Sequence, residues 1–246
     1  DMQGVFKKVK SDLDNGQTVL FTGVPCQIGG LYAYLGGREY DNLITQDVIC
    51  HGVPAPLIWQ KYIKQREKTA DSAAEKVNFR DKVTGWKNYS VTFDFKNGGK
   101  YSKPLTEDSF MRAFVSHLSI RESCTQCSFK NVHRQSDITL GDFWGVENLL
   151  PGKSDGKGAS LVLINSSKGK ALFETAAKGL FVCKADYQSA VSENRSLVLS
   201  AKRNPLSRNF FKDAMNVDID ILADKYCGSG VLPKLRRFCA RLRKDL

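Results

Sequence analysis

What this 246-residue sequence lacks narrows its reading before any motif does. No apolar run approaches the roughly 18 to 20 residues that a membrane-spanning helix needs, and the N-terminus has no signal-peptide pattern. A cytoplasmic protein is the expectation. There is no Gly-x-Gly-x-x-Gly nucleotide fingerprint and no phosphate loop; Gly29-Gly30 falls inside a predicted helix, where close packing explains it better than phosphate binding. Acidic residues fall short of basic ones, 26 against 37, which leaves a net charge of +11. That excess suits an anionic partner: nucleic acid, an acidic redox protein or a phosphate-bearing cofactor. A disulfide framework is not expected either. Seven cysteines is an odd number, and with no export signal metal binding or free thiols are the better default. What is present is ordinary for a folded protein, 41% hydrophobic and 10% aromatic residues, in a length that allows one large domain or a main domain with an appendage.

The first residue is Asp1 rather than methionine, and an amphipathic stretch begins at Val5, which suggests a piece of a longer protein. Residues 18–22 (Thr-Val-Leu-Phe-Thr) read as a buried strand between Gly16 and Gly23. Gly23-Val24-Pro25 turns the chain into a helix from Cys26 to Leu35, ended by Gly36-Gly37. Residues 43–49 form a second buried strand, and Pro54 and Pro56 open a second helix through Ile58, Trp59, Tyr62 and Ile63. Strand, cysteine loop and helix, given twice, make a βαβ-type arrangement with a parallel pair, and ligands sit in the loops at the carboxyl ends of such strands. These two units are the one internal repeat.

The middle alternates in character. Residues 77–82 and 89–95 read as strands, the second turning at Asn97-Gly98-Gly99 into a third at residues 100–102. A helix is predicted over residues 107–118, strands over 137–143 and 160–165, a polar loop over 151–158 between them, and a helix over 168–177. Phe181-Val182-Cys183 reads as a strand with Cys183 in the core, and the remainder as mostly helical. The expected fold is mixed α/β: strand–loop–helix units on a mixed sheet, then a helical C-terminal region. The expected division is a catalytic domain over 1–180 and a helical extension over 181–246. Within that extension, residues 234–244 carry six positive charges at helical spacing. A solvated basic helix end explains them, with a lipid or acidic-partner contact as the alternative.

Four cysteines fall in segments suited to chemistry. Cys124 and Cys127 are spaced so that both thiolates can reach one metal centre, as in zinc and in iron–sulfur sites. His133, six residues on, would complete a zinc fragment, whereas a redox dithiol lacks its thioredoxin-like surroundings. From spacing alone, zinc and iron–sulfur stand level. Cys26 favours the cluster, because the backbone N–H groups of a helix start favour a thiolate or sulfide. Cys50, at a strand end before His51-Gly52, offers a fourth soft ligand, and four thiolates suit a 4Fe-4S cluster. Taken singly, Cys26 and Cys50 would each pass for a buried cysteine. Cys227 and Cys239 have no partner spacing. Arg80, Lys82, Trp86 and Asn88 cluster around Gly85; an indole can stack on a flat ring and a guanidinium can grip a phosphate, though a surface hairpin accounts for them equally. Asp142 either binds a cofactor hydroxyl or caps a turn, and His117 reads as a surface or packing residue on the 107–118 helix.

Several strings together resemble the beta subunit family of coenzyme F420-reducing hydrogenases and dehydrogenases. They are residues 21–31 (Phe-Thr-Gly-Val-Pro-Cys-Gln-Ile-Gly-Gly-Leu), 47–54 (Asp-Val-Ile-Cys-His-Gly-Val-Pro), 79–82 with Gly85-Trp86, the Cys124/Cys127 loop, and 136–145 ending Gly-Asp-Phe-Trp-Gly. The matches run in order from about residue 17 to about residue 175. The resemblance implies a flavoprotein that holds FAD and a 4Fe-4S cluster and passes electrons between iron–sulfur centres and a hydride-accepting small molecule. It implies Cys26, Cys50, Cys124 and Cys127 as cluster ligands, and Gly23, Gln27, Arg80 and Trp86 as flavin contacts. It also implies a ferredoxin-like domain or protein as electron partner. The competing expectation is a zinc-stabilised basic protein that contacts nucleic acid or an acidic partner.

Overall fold

The computed structural model describes residues 2–152 and 156–228. The chain forms two compact units, each assembled from two separate stretches: residues 2–51 with 127–200, and residues 52–126 with 201–228. The basic segment 234–244 and Cys239 lie outside the described residues. No described helix is long and apolar enough to cross a membrane.

The first unit opens with helix α1 (Gln3–Asp14), which buries Val9 and Leu13 and braces its outer face with the ion pairs Lys8–Asp12 and Lys10–Asp14. Strand β1 (Val19–Gly23) leads into helix α2 (Pro25–Tyr34) and strand β2 (Leu43–Val48). Proline is tolerated in the first turn of α2 because its missing N–H has no intrahelical partner there. Ile28 and Leu31 on α2 pack with Phe21, Leu35 and Leu43 in a core that α1 covers. Gly29 and Gly30 serve packing, as expected: a Cβ on Gly29 would overlap the Phe129 ring, and one on Gly30 would touch Phe6 at 3.4 Å.

The second unit takes over at Gly52. Helix α3 (Pro56–Ala70) buries Ile58 and Tyr62 and stops at Asp71, whose left-handed φ of 47° ends the helical hydrogen bonding. Strands β3 (Ala74–Asp81), β4 (Ser90–Phe95) and β5 (Lys100–Pro104) form an antiparallel sheet in that order. The β4–β5 hairpin turns where it was expected, at Asn97-Gly98, with Gly98 at φ 82° and Gly99 N–H donating to Asn97 Oδ1 at 2.9 Å. Helix α4 (Ser109–Val115) is shorter than predicted. Its apolar periodicity runs on to Leu118, but His117 turns left-handed at φ 58°, so Leu118 reaches the core from outside the helix. His117 is therefore not helical; its Nδ1 lies 3.0 Å from the Lys202 carbonyl oxygen.

Back in the first unit, strand β6 (Ile138–Asp142) adds parallel to β2. After the short helix α5 (Val146–Leu149), strand β7 (Ser160–Ile164) returns antiparallel to β6, which completes a mixed sheet of order β1-β2-β6-β7. Helix α6 (Ser167–Ala176) follows, with Ser166 accepting the Gly169 N–H at 3.0 Å, and then α7 (Tyr187–Glu193). Gly169 sits so close to the main chain of Asp137 that a Cβ would overlap its carbonyl oxygen. Gly169→Ala is expected to destabilise by about 1–3 kcal/mol, the usual cost of overpacking, read as a lowered urea midpoint. Residues 181–183 are not a strand. They are irregular and belong to neither described sheet, with Phe181 71% exposed and Cys183 on the surface.

The chain ends its described course with α8 (Ser207–Ala214) and α9 (Ile219–Cys227), which pack Phe210, Leu222 and Cys227 into the second unit's core beside Tyr62 and Phe93. The fold is thus mixed α/β with a helical C-terminal region, as the sequence indicates. Residues 201–228 are nevertheless built into the packing of the second unit.

Candidate cysteine site

β1 and β2 run side by side with Gly23 opposite Asp47. Cys26 lies three residues beyond Gly23, and Cys50 three beyond Asp47, so the two thiols follow neighbouring strands at matched offsets. Hydrogen-bonded strands are about 4.8 Å apart, and the two loops therefore start side by side at the carboxyl end of the sheet. Cys26 is exposed in the first turn of α2, where the helix dipole favours negative charge. Gln27 closes that turn: its Oε1 accepts the Val24 N–H at 3.0 Å, while its Nε2 donates to Met2 Sδ at 3.4 Å. Gly23 lies against the same amide, and a Cβ there would come 2.9 Å from Gln27 Oε1.

Cys127 enters the first unit on a turn that is tied to Cys50 through Lys130. The Lys130 N–H donates to the Cys127 carbonyl at 3.4 Å, and the ammonium donates to the carbonyls of Cys50 and Ser196, the latter at 2.5 Å. Cys127 N–H donates to Ser200 Oγ at 3.1 Å, and Ser196 Oγ lies 3.0 Å from His51 Nδ1. Further along the same loop, Arg134 Nη2 donates to Asp47 Oδ2 at 2.5 Å, with side-chain exposures of 3% and 2%. A cleft of about 100 Å³ opens there, lined by Pro25, Asp47, Asn131 and His133 among others. It has room for a few water molecules and not for a ring system. Lys130, Ser196, Ser200 and Arg134 have no signal in the sequence as site residues, because their partners lie far away along the chain; Asp47 falls in the quoted 47–54 string, but its pairing with Arg134 is not readable there.

The other expected residues fall elsewhere. Cys124 belongs to the second unit, in the turn Glu122–Gln126, with its N–H donating to Arg121 O at 3.0 Å. Arg80 and Trp86 are also in the second unit. The Arg80 guanidinium lies 4.7 Å from the Tyr89 ring centroid, and the Trp86 indole is buried, with the Lys87 ammonium 5.5 Å from its ring. Of the expected flavin contacts, Gly23 and Gln27 thus belong to the first unit, and Arg80 and Trp86 to the second. Asp142 is half-buried at the end of β6, before a turn in which Trp144 N–H donates to its carbonyl at 3.1 Å.

No disulfide joins any two of the described cysteines. Among the described residues, no group of three or more His, Cys, Asp or Glu side chains is close enough to hold one metal ion. A zinc ion would need its donors to converge on a single point, about 2.3 Å from each sulfur. A 4Fe-4S cluster gives each thiolate its own iron and accepts a wider shell of donors. Cys26, Cys50 and Cys127 are soft donors of one unit, none sealed in an apolar core, and the side chains of Lys130 and Ser200 hydrogen-bond to the main chain of Cys50 and Cys127. In donor chemistry and chain position, these residues fit the cluster.

Fold and site define a mixed α/β protein with thiol-bearing loops beyond the carboxyl ends of parallel strands. The family model for the C terminus of the coenzyme F420 hydrogenase/dehydrogenase beta subunit matches residues 16–188, more than half of the chain, and the chain belongs to that family. The family is one of redox-enzyme subunits, the same that the sequence motifs resemble. No curated protein matches the chain.

Proposed function

We propose that this chain is an iron–sulfur flavoprotein oxidoreductase that passes electrons between a 4Fe-4S cluster and FAD to reduce a small-molecule acceptor. The observation that carries the reading is the matched offset of Cys26 and Cys50 beyond paired parallel strands, in a chain of the hydrogenase/dehydrogenase beta subunit family. Cys26, Cys50, Cys124 and Cys127 hold the cluster; Gly23, Gln27, Arg80 and Trp86 contribute to the flavin site. When bound, the two groups supply a single-electron relay and its conversion to hydride transfer. The chain's own residues bind and orient: α2 directs partial positive charge at the Cys26 sulfur, and Gln27 holds the turn that carries it. In functional terms the division is a catalytic segment over 1–180 and a C-terminal extension over 181–246, in a cytoplasmic protein whose electron partner is ferredoxin-like.

Anaerobic reconstitution with iron and sulfide is the direct test. About four irons per chain and a broad absorbance near ~400 nm are expected, the count following from the cluster type. Uptake of zinc alone, with no iron under those conditions, would sink the cluster. Titration with FAD reads the second cofactor by quenching of its fluorescence, and an unchanged signal at saturating protein would remove flavin from the account.

A further inference from the structure

Lysine is a side chain that seldom settles away from water, because its ammonium is strongly hydrated and its stem loses much freedom when held. Lys130 does so nonetheless. It is half-buried, and two of the three donors an ammonium carries go to main-chain oxygens of Cys50 and Ser196, residues 80 and 66 positions away. Its own N–H reaches back to the Cys127 carbonyl. One residue therefore ties together the Cys50 loop, the Cys127 turn and the stretch 196–200. That stretch in turn contacts both cysteine segments, through Ser200 to Cys127 and through Ser196 to His51. Serving solubility would leave the ammonium in water, and merely capping one loop would need only one carbonyl.

We propose that Lys130 is a positioning residue that sets the Cys50 and Cys127 thiols for their cofactor and leaves a fixed positive charge beside them. The purpose rests on the iron–sulfur reading; the tie itself does not. Two variants separate its parts. Lys130→Met keeps the stem and removes donors and charge, and Lys130→Arg keeps both.

The experiment follows alkylation of individual cysteines by iodoacetamide in the cofactor-free chain, by mass spectrometry, and then iron content and reduction potential after reconstitution. Rates are compared at about pH 10, where thiols are ionised with or without a neighbouring ammonium, so that the lost charge does not itself slow the reaction. In Lys130→Met, Cys50 is then expected to react about tenfold faster, the factor that one charge-assisted hydrogen bond is worth, and Cys127 to follow through the freed stretch 196–200, its main-chain bond to Lys130 being kept. Surface Cys183 and buried Cys227 should keep their rates, and Lys130→Arg should stay near the parent. Cluster affinity in Lys130→Met is expected to fall about 10- to 100-fold, as for other residues that orient metal ligands, with a more negative potential from the lost charge. Unchanged rates at Cys50 and Cys127 would overturn the proposal. So would a rise that includes Cys227, since that reports general loosening. If the parent chain takes up no iron, the iron–sulfur reading fails, and the alkylation rates still decide whether Lys130 is the tie.

Discussion

Arg134→Met is expected to cost about 3–5 kcal/mol of unfolding free energy, the usual penalty for stripping one partner from a buried ion pair. The Arg134 side chain is 3% exposed and its partner Asp47 2%, so the variant leaves a carboxylate with neither water nor a counter-charge. The hydrogen bonds from Arg134 to the carbonyls of Phe129 and Val48 go as well, which frees the loop that follows Cys127 from the end of β2. Most of the penalty belongs to the stranded charge and not to the pair, so Asp47→Asn in the same chain should recover much of it. A cycle of the two single variants and the double variant, each unfolded in urea, measures the coupling. A loss under about 1 kcal/mol in Arg134→Met would mean that the pair behaves as an exposed one.

Asp108→Ala should be of similar size, about 4 kcal/mol, from a different cause. Asp108 is fully buried and accepts the Met111 N–H at 2.8 Å as the cap of α4, the Tyr101 hydroxyl at 2.8 Å, and the Tyr62 hydroxyl. Alanine removes a helix cap worth about 1 kcal/mol and strands two hydroxyls at about 1–3 kcal/mol each, sums that do not add in full. The same network sets an alkaline limit. Burial, and after it the Asp108 charge, raise both Tyr62 and Tyr101 well above the ordinary tyrosine value of 10.0. Below about pH 10 both states keep these protons and the contribution is fully present. Above it the unfolded chain releases them while the folded chain does not, so stability falls as pH rises, by up to about 1.4 kcal/mol per pH unit for each tyrosine. Urea midpoints between pH 9 and 11 should show that fall in the parent (an order-of-magnitude window around the tyrosine value) and a flatter line in Tyr62→Phe/Tyr101→Phe. An equal slope in both would assign the alkaline loss to other groups.

Local signals were readable where the chain writes them locally. Gly23 and Pro25 mark the start of α2, alternation marks β4, and Asn97-Gly98 marks the hairpin, because each records a backbone constraint in adjacent residues. Direction is not written that way: β6 and β7 are apolar runs of similar look, and only pairing across the sheet makes β2–β6 parallel and β6–β7 antiparallel. Phe181-Val182-Cys183 misleads for the same reason, since strand propensity mostly measures fit to a neighbouring strand, which three residues do not specify. The cysteines of the candidate site could be picked from flanks and spacing. The residues that hold their loops could not: Arg134 meets Asp47 across 87 positions and Lys130 meets Cys50 across 80, distances over which no periodicity carries a message.

The pairing of Gln46 with Ile138 has a consequence for how the protein is made. On the ribosome, β2 emerges and can join β1 at once, but its other edge waits for more than 90 residues of translation before β6 arrives. Through that interval it shows unpaired N–H and C=O groups beside an apolar strand, an open template for other chains. Residues 52–126 fill the gap; the β4–β5 hairpin within them rests on close-range contacts that form early, whereas their helices complete a core with residues 201–228, which are made later still. Slowed elongation between residues 50 and 138 should therefore raise the aggregated fraction of nascent chains more than the same delay placed after residue 164, where β7 is complete.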